Sequence, residues 1–250
     1  MRPRSVHILG VRVDDVTYQE ACDIAEALIR RGGAHQFATV NPEFVMAAQE
    51  DEEFRAVLAS TALNVPDGAG VVWAAGRRGL KLRQRVAGVD LMLELCALAA
   101  RHRWRVFLLG AQPGVAERVA AALVLAHRGL IIAGTYAGSP RREEEMAIVA
   151  RVRAARPQLL FVAYGAPAQD KWLARNLPLL IPAEGEGLGG IVGMGVGGAF
   201  DFVAGVQKRA PAWVQRANLE WLYRLMRQPW RWRRQTALVR FAVAAMLESF

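Results

Sequence analysis

The sequence predicts an α/β fold, a doubly wound and mostly parallel sheet with a helical appendage at its C-terminal end. Three observations predict it. Short apolar runs of strand length alternate with segments of helical periodicity along the first 207 residues. Turns rich in glycine and proline separate many of these runs from the helices that follow. From Lys208 onward the composition shifts to arginine and tryptophan. With 250 residues, 53% of them hydrophobic and 22% charged, the chain can bury one large core. The expected division is an α/β core over residues 1–207 and a basic, Trp-rich helical appendage over 208–250.

Taken in order, Val6 to Val13 alternates weakly and reads as an edge hairpin. Thr17 with Glu20 three residues on is a capping-box pattern that opens a helix to Arg31, where Gly32-Gly33 stops it. Gln36 to Val40 is a short strand ending at Asn41-Pro42, and Glu43 to Leu58 has helical periodicity. Ala62, Leu63 and Val65 make the next strand, and Val71 to Ala75 begins a buried helix. Between them Val65-Pro66-Asp67-Gly68 puts a lone carboxylate on a strand-to-helix turn. Arg85 reads as a solvated charge and Asp90 as the N-cap of an apolar helix from Leu91 to Ala100. Arg105 to Gly110 is a buried strand that passes through Ala111 to Gly114 into a helix from Val115 to Ala126. That order is the one a parallel βαβ unit with a phosphate-facing helix N-terminus requires. Leu130 to Ala133 is a strand ending at Gly134-Thr135-Tyr136, and Arg142 to Ala155 is a helix. Gln158 to Tyr164 is a last clear buried strand, ending in Gly165-Ala166-Pro167-Ala168-Gln169-Asp170. The whole is a Rossmann-like arrangement.

In open parallel sheets ligands bind outside the carboxyl ends of the strands. Thr39, Asn41, Asp67, Tyr136 and Gln169 all fall at or just after such ends, which one shared crevice explains. Each also has a structural explanation: Asp67 as the N-cap of a tight turn, Thr39 and Asn41 as capping and turn residues. Gly193-Met194-Gly195-Val196-Gly197-Gly198 formally fits the dinucleotide fingerprint. It comes late, however, and leads into a turn-like stretch from Ala199 to Gly205, so a nicotinamide-dependent oxidoreductase is a minor alternative. Its backbone amides remain suited to a pyrophosphate.

The net charge of +9 is concentrated in the tail, where nine Lys/Arg face two glutamates over residues 208–250, a net of +7 that leaves +2 for the rest. An anionic partner follows. Four of the seven tryptophans lie there, Trp213, Trp221, Trp230 and Trp232. Trp221 to Met226 and Trp230 to Leu247 read as helices interrupted at Pro229. Aromatic rings beside arginines suit an anionic membrane surface, a role compatible with the same helices packing on the core. No nucleic-acid module accompanies them, so nucleic acid is not an expected partner. No apolar run reaches the roughly 20 residues of a membrane span, and the N-terminus lacks the apolar core of a signal peptide. Cys22 and Cys96 have no metal-ligand spacing and suit a reduced compartment. The chain contains no Asp-x-Asp motif.

These residues fall into an ordered series of motifs. They run Thr39-x-Asn41, Val65-Pro66-Asp67-Gly68, Arg85-Val86-Ala87-Gly88-x-Asp90-Leu91 and Phe107-Leu108-Leu109-Gly110-x-x-Pro113-Gly114. They continue with Gly165-x-Pro167-x-Gln169, Gly195-x-Gly197-x-x-Phe200-Asp201, Arg209-Ala210-Pro211-x-Trp213 and Glu220-Trp221-x-x-Arg224 with Pro229-x-Arg231. Over nearly the whole chain this series resembles the WecG/TagA/CpsF glycosyltransferases, glycosyltransferase family 26. The resemblance implies inverting transfer of N-acetylmannosamine or its uronic acid from a UDP donor to an undecaprenyl-diphosphate-linked amino sugar, in cell-surface polysaccharide synthesis. It implies a cytoplasmic protein, peripheral on the inner face of the bacterial plasma membrane. Asp67 takes the position of the proposed catalytic base, with Thr39, Asn41, Arg85 and Gln169 as its active-site partners. Asp90, Gly110, Pro113, Gly114, Gly165, Pro167, Gly195, Gly197 and Asp201, with the strand-end Tyr136, are the expected substrate-binding set. Arg224, Arg231 and Arg234 are expected to complete the site and meet the lipid diphosphate. No cofactor is expected, arginine standing in for a divalent metal. Two positions depart from the family pattern: the usual Pro-Lys-Gln-Glu is here Pro167-Ala168-Gln169-Asp170, and Val89 stands where threonine is common. The alternative is a non-catalytic nucleotide-sugar binding module with a basic docking tail; a homo-oligomer is left open.

Overall fold

A computed structural model describes residues 3–181, 189–211, 213–214, 220–227 and 232–248. Six parallel strands form the main sheet in the order β4-β3-β8-β7-β5-β6: β3 (Ala34–Val40), β4 (Leu63–Pro66), β5 (Arg105–Gly110), β6 (Ile131–Tyr136), β7 (Leu159–Ala163) and β8 (Ile191–Gly195). Successive residues of each strand face opposite sides, so both sides are apolar. Phe37, Val106, Leu108, Phe161 and Met194 pack under α1 (Tyr18–Arg31), α5 (Gly88–His102) and α6 (Val115–Ala126). On the other side Phe107, Leu109, Leu160 and Val162 meet α7 (Arg142–Ala155) and α8 (Ala168–Asn176). There Ala38 and Val40 meet α2 (Pro42–Glu50), α3 (Glu52–Ser60) and α4 (Ala69–Arg77).

The doubly wound parallel fold is therefore as the sequence predicts, with four local differences. The hairpin of β1 (Ser5–Ile8) and β2 (Val11–Asp14) is a separate antiparallel sheet, not an edge of the main one. Its buried Asp14 accepts the Asn64 N–H at 2.7 Å, so a side chain docks it on β4 where a ladder would otherwise run. The helix expected from Glu43 to Leu58 is two helices. Asp51 is extended, and its carboxylate accepts the Phe54 N–H at 3.0 Å, capping a new start. β6 runs on through Gly134 to Tyr136, paired with Phe107 to Leu109 of β5, and Gly134 lies so close to the Phe107 ring that a Cβ would stand 2.6 Å from it. The turn-like stretch after Gly198 contains a short helix, α9 (Ala199–Val203).

Among the described residues the C-terminal helices are α10 (Glu220–Arg227) and α11 (Trp232–Leu247). α11 packs on α2 and α4 through Phe241, 2% exposed, and Ala245. Arg240 pairs with Glu50, and the Glu248 carboxylate accepts the Leu9 N–H at 2.9 Å. The opposite side of α11 leaves Val239, Val243, Met246 and Leu247 exposed at helical spacing. Pro229 and Trp230 lie outside the described residues. Among the described residues no helix is long and apolar enough to cross a membrane.

Candidate active site

Asp67 follows β4, and its N–H donates to Val40 O at 2.8 Å, so the turn is tied to the neighbouring strand. The next residue takes φ +99°, a conformation that glycine adopts without the steric cost other residues meet. Gly68, not Asp67, is the N-cap of α4. The Asp67 carboxylate is turned toward the segment 83–90, where Gly88 N–H donates to Oδ2 at 3.2 Å. Asp67 lines a cleft of about 360 Å³ whose polar side also carries Asn41, Glu43, Arg85 and Arg209. Trp73, Phe202, Leu238 and Phe241 make its apolar side, so α11 is one wall of the cleft. Asn41 does cap: its Oδ1 accepts Phe44 N–H at 3.0 Å while the residue borders the cleft. Thr39 is 7% exposed and lies beneath Gly88, where a Cβ would come within 3.0 Å of its Cγ2.

Segment 83–90 is held by the start of α1. Arg83 pairs with Asp15 and Glu20, and Val86 N–H donates to Pro66 O at 2.8 Å. The Tyr18 hydroxyl accepts Ala87 N–H at 2.8 Å and donates to Asp90 Oδ2 at 3.4 Å. Asp90 lies inside the first turn of α5 and is not its N-cap, which is Ala87. Its carboxylate takes both Nη atoms of Arg209, Nη2 at 2.8 Å. Burial pushes the Asp90 carboxyl up, but the Arg209 hydrogen bonds and charge, with the Tyr18 hydroxyl, outweigh it and hold the group below the usual carboxylate range. Tyr18 and Glu43 were not legible as site residues. Tyr18 shows in the sequence only as the residue after a helix cap, and Glu43 only as an acid in a first helical turn.

Gln169, 2% exposed, joins two loops: its Oε1 accepts Gly165 N–H at 3.1 Å, after β7, and Gly197 N–H at 2.9 Å, after β8. A side chain at Gly195 would put Cβ 2.7 Å from Gln169 Nε2 and 2.9 Å from Asp170 Oδ1, so the close packing there requires glycine. Pro167 occupies the N-cap position of α8.

Comparison with known proteins matches residues 6–250 to the Glycosyl transferase WecG/TagA/CpsF family. The chain belongs to this family. It is 36% identical over 211 residues to the N-acetylglucosaminyldiphosphoundecaprenol N-acetyl-beta-D-mannosaminyltransferase of Bacillus subtilis (strain 168), covering 84% of this chain and 78% of that protein. A protein of the same name from Staphylococcus aureus (strain NCTC 8325) is 31% identical over 223 residues, 88% of this chain and 84% of its own.

This glycosyltransferase spreads the remaining expected residues along the carboxyl edge of its sheet. Tyr136 ends β6, at the opposite edge from β4, five strand spacings or roughly 24 Å from the Asp67 turn. One edge therefore carries all five polar strand-end residues, but the Asp67 cleft does not hold them all. Tyr136 is half-buried, with the Arg151 guanidinium 4.3 Å from its ring centroid. Gly110 ends β5, and exposed Pro113 and Gly114 lead into α6 beside it. Asp201 lies in α9, where its backbone carbonyl accepts Gln207 N–H at 3.0 Å. Arg231 lies outside the described residues, as do the side chains of Arg224 in α10 and Arg234 in α11.

Proposed function

We propose that this enzyme moves N-acetylmannosamine, or its uronic acid, from a UDP donor to an undecaprenyl-diphosphate-linked amino sugar, with inversion at the anomeric carbon. The activity for which its relatives are named, an N-acetyl-beta-D-mannosaminyl transfer to N-acetylglucosaminyldiphosphoundecaprenol, supports the sugar and acceptor classes. The observation that carries the chemistry is Asp67: a carboxylate at a strand end, in a cleft, with one oxygen held by a backbone amide and a guanidinium nearby. An acceptor hydroxyl gives its proton to Asp67 as its oxygen forms the new bond to the anomeric carbon. The bond from that carbon to the donor phosphate breaks on the far side, and UDP leaves with the electron pair. Its developing charge needs fixed cations or amides, a role assigned to Arg85 and the tail arginines Arg224, Arg231 and Arg234. Gln169 holds the loops over β7 and β8 in place, and Asn41 fixes the turn beside the base.

The test is product formation from a panel of labelled UDP-sugars and a short-chain lipid-diphosphate N-acetylglucosamine acceptor, run with and without a chelator. The expected result is transfer of N-acetylmannosamine or its uronic acid at a rate the chelator leaves unchanged. Donor binding without product would favour the binding-module alternative. Activity lost to chelator and restored by magnesium or manganese would overturn the metal-independent part.

We further propose that the C-terminal helices rest on an anionic membrane surface. Supporting this are the tail's net charge of +7, from nine Lys/Arg and two glutamates, and the exposed apolar stripe of α11, joined by exposed Trp213 and Met226. The full chain should sediment with phosphatidylglycerol vesicles and be released by high salt, since the electrostatic part is screened. Equal recovery in the supernatant with and without vesicles would sink the membrane role.

A further inference from the structure

We propose that Tyr18 is a positioning residue for the transfer, its hydroxyl fixing the segment, at the amide just before the one that orients the Asp67 carboxylate. It can act this way only if Asp67 is the base, as proposed above. The geometry has three parts. The Tyr18 hydroxyl sits between two groups of one short segment, accepting Ala87 N–H at 2.8 Å and donating to Asp90 Oδ2 at 3.4 Å. Tyr18 N–H donates to Gln84 Oε1 at 3.0 Å, so the same residue grips the segment on both sides of Arg85. The amide after Ala87 is the one that donates to Asp67, at 3.2 Å.

Thr39 supports Gly88 from below, and Arg209 holds Asp90 from the side of the tail. The Tyr18 hydroxyl holds the Ala87 amide, next to the peptide that meets Asp67, whose carbonyl accepts Leu91 N–H at 2.9 Å. The Gly88 amide on Oδ2 fixes how the carboxylate is presented to an acceptor hydroxyl. Burial pushes the Tyr18 phenol up to about 12, with Asp90 and Asp67 adding to the effect, so it stays protonated and a donor over the enzyme's working range. The ring itself packs against the core under α1 and α5, a structural role that a phenylalanine would keep. The hydroxyl is therefore separable from the fold.

The experiment is a double-mutant cycle of Tyr18→Phe and Asp67→Asn in the full chain, assayed where circular dichroism shows every variant folded. Tyr18→Phe should lower kcat about 10-fold with donor KM within about 2-fold, the cost of a misaligned rather than missing catalytic group. Added to Asp67→Asn, it should change the rate by less than about 2-fold, because its effect passes through the carboxylate. If Asp67→Asn is impaired but Tyr18→Phe behaves as wild type, or if the two losses multiply, the Tyr18 role falls and the base stands. If Asp67→Asn turns over normally, both fall. A Tyr18→Phe chain that does not fold assigns the hydroxyl to stability and overturns the positioning role.

Discussion

Asp67→Asn is expected to cut turnover by roughly 10²-fold or more while leaving the melting temperature and donor affinity near those of the unchanged enzyme. The substitution is nearly isosteric, and its amide oxygen can still accept Gly88 N–H. Gly68, not Asp67, occupies the N-cap position of α4, so the substitution leaves the cap residue unchanged. What an amide cannot do is take the proton of the attacking hydroxyl. Steady-state kinetics with the preferred UDP-sugar, beside a thermal melt, separates the two roles. A near-normal kcat would remove Asp67 as the base and leave Glu43 as the carboxylate to test, since it lines the same cleft from the first turn of α2.

Most of the fold could be read from the chain because buried parallel strands are continuous apolar runs with punctuated ends. β5, α6 and α7 have the expected boundaries, and the Thr17 and Glu20 capping box is in place, Glu20 N–H donating to Thr17 Oγ1 at 3.2 Å. Apart from the helix break that Asp51 caps locally, the failures are contacts between distant parts of the chain. Nothing local says that Asp14 will dock on Asn64, or that a tyrosine at position 18 will hold the backbone at 87. The same holds within the site. Strand-end positions could be read one by one, but strand order decides which of them meet. That order puts β3 beside β4, bringing Asn41 and Asp67 into one cleft, and sends β6 with Tyr136 to the far edge. The short spacing from Arg85 to Asp90 was visible as a motif; that it folds back onto the Asp67 turn was not.

The second large effect concerns Asp170, which follows Gln169 and is wholly buried between α8 and β8. Neither carboxylate oxygen has a hydrogen-bond partner of good geometry among the described residues. Burial pushes the group from the ordinary carboxylate value up to about 7, the Gln169 side chain offsetting only part of the cost. The sign follows from linkage. The folded chain holds this proton more tightly than the unfolded chain, so the folded state is favoured below the ordinary pKa of 3.8 and loses that advantage as pH rises to about 7. At about 1.4 kcal/mol per pKa unit the loss is on the order of 2–4 kcal/mol. Asp170→Asn removes the titration. At pH 5 its buried amide costs on the order of 1 kcal/mol if it finds no partner. Between pH 5 and pH 8 the variant should gain on the unchanged enzyme, its melting temperature rising relative to it by roughly 5 °C or more. Thermal melts of both proteins across that range measure the difference directly. A difference that stays flat would mean that Asp170 is ionised and paired in the folded protein, and the buried neutral acid would have to be abandoned.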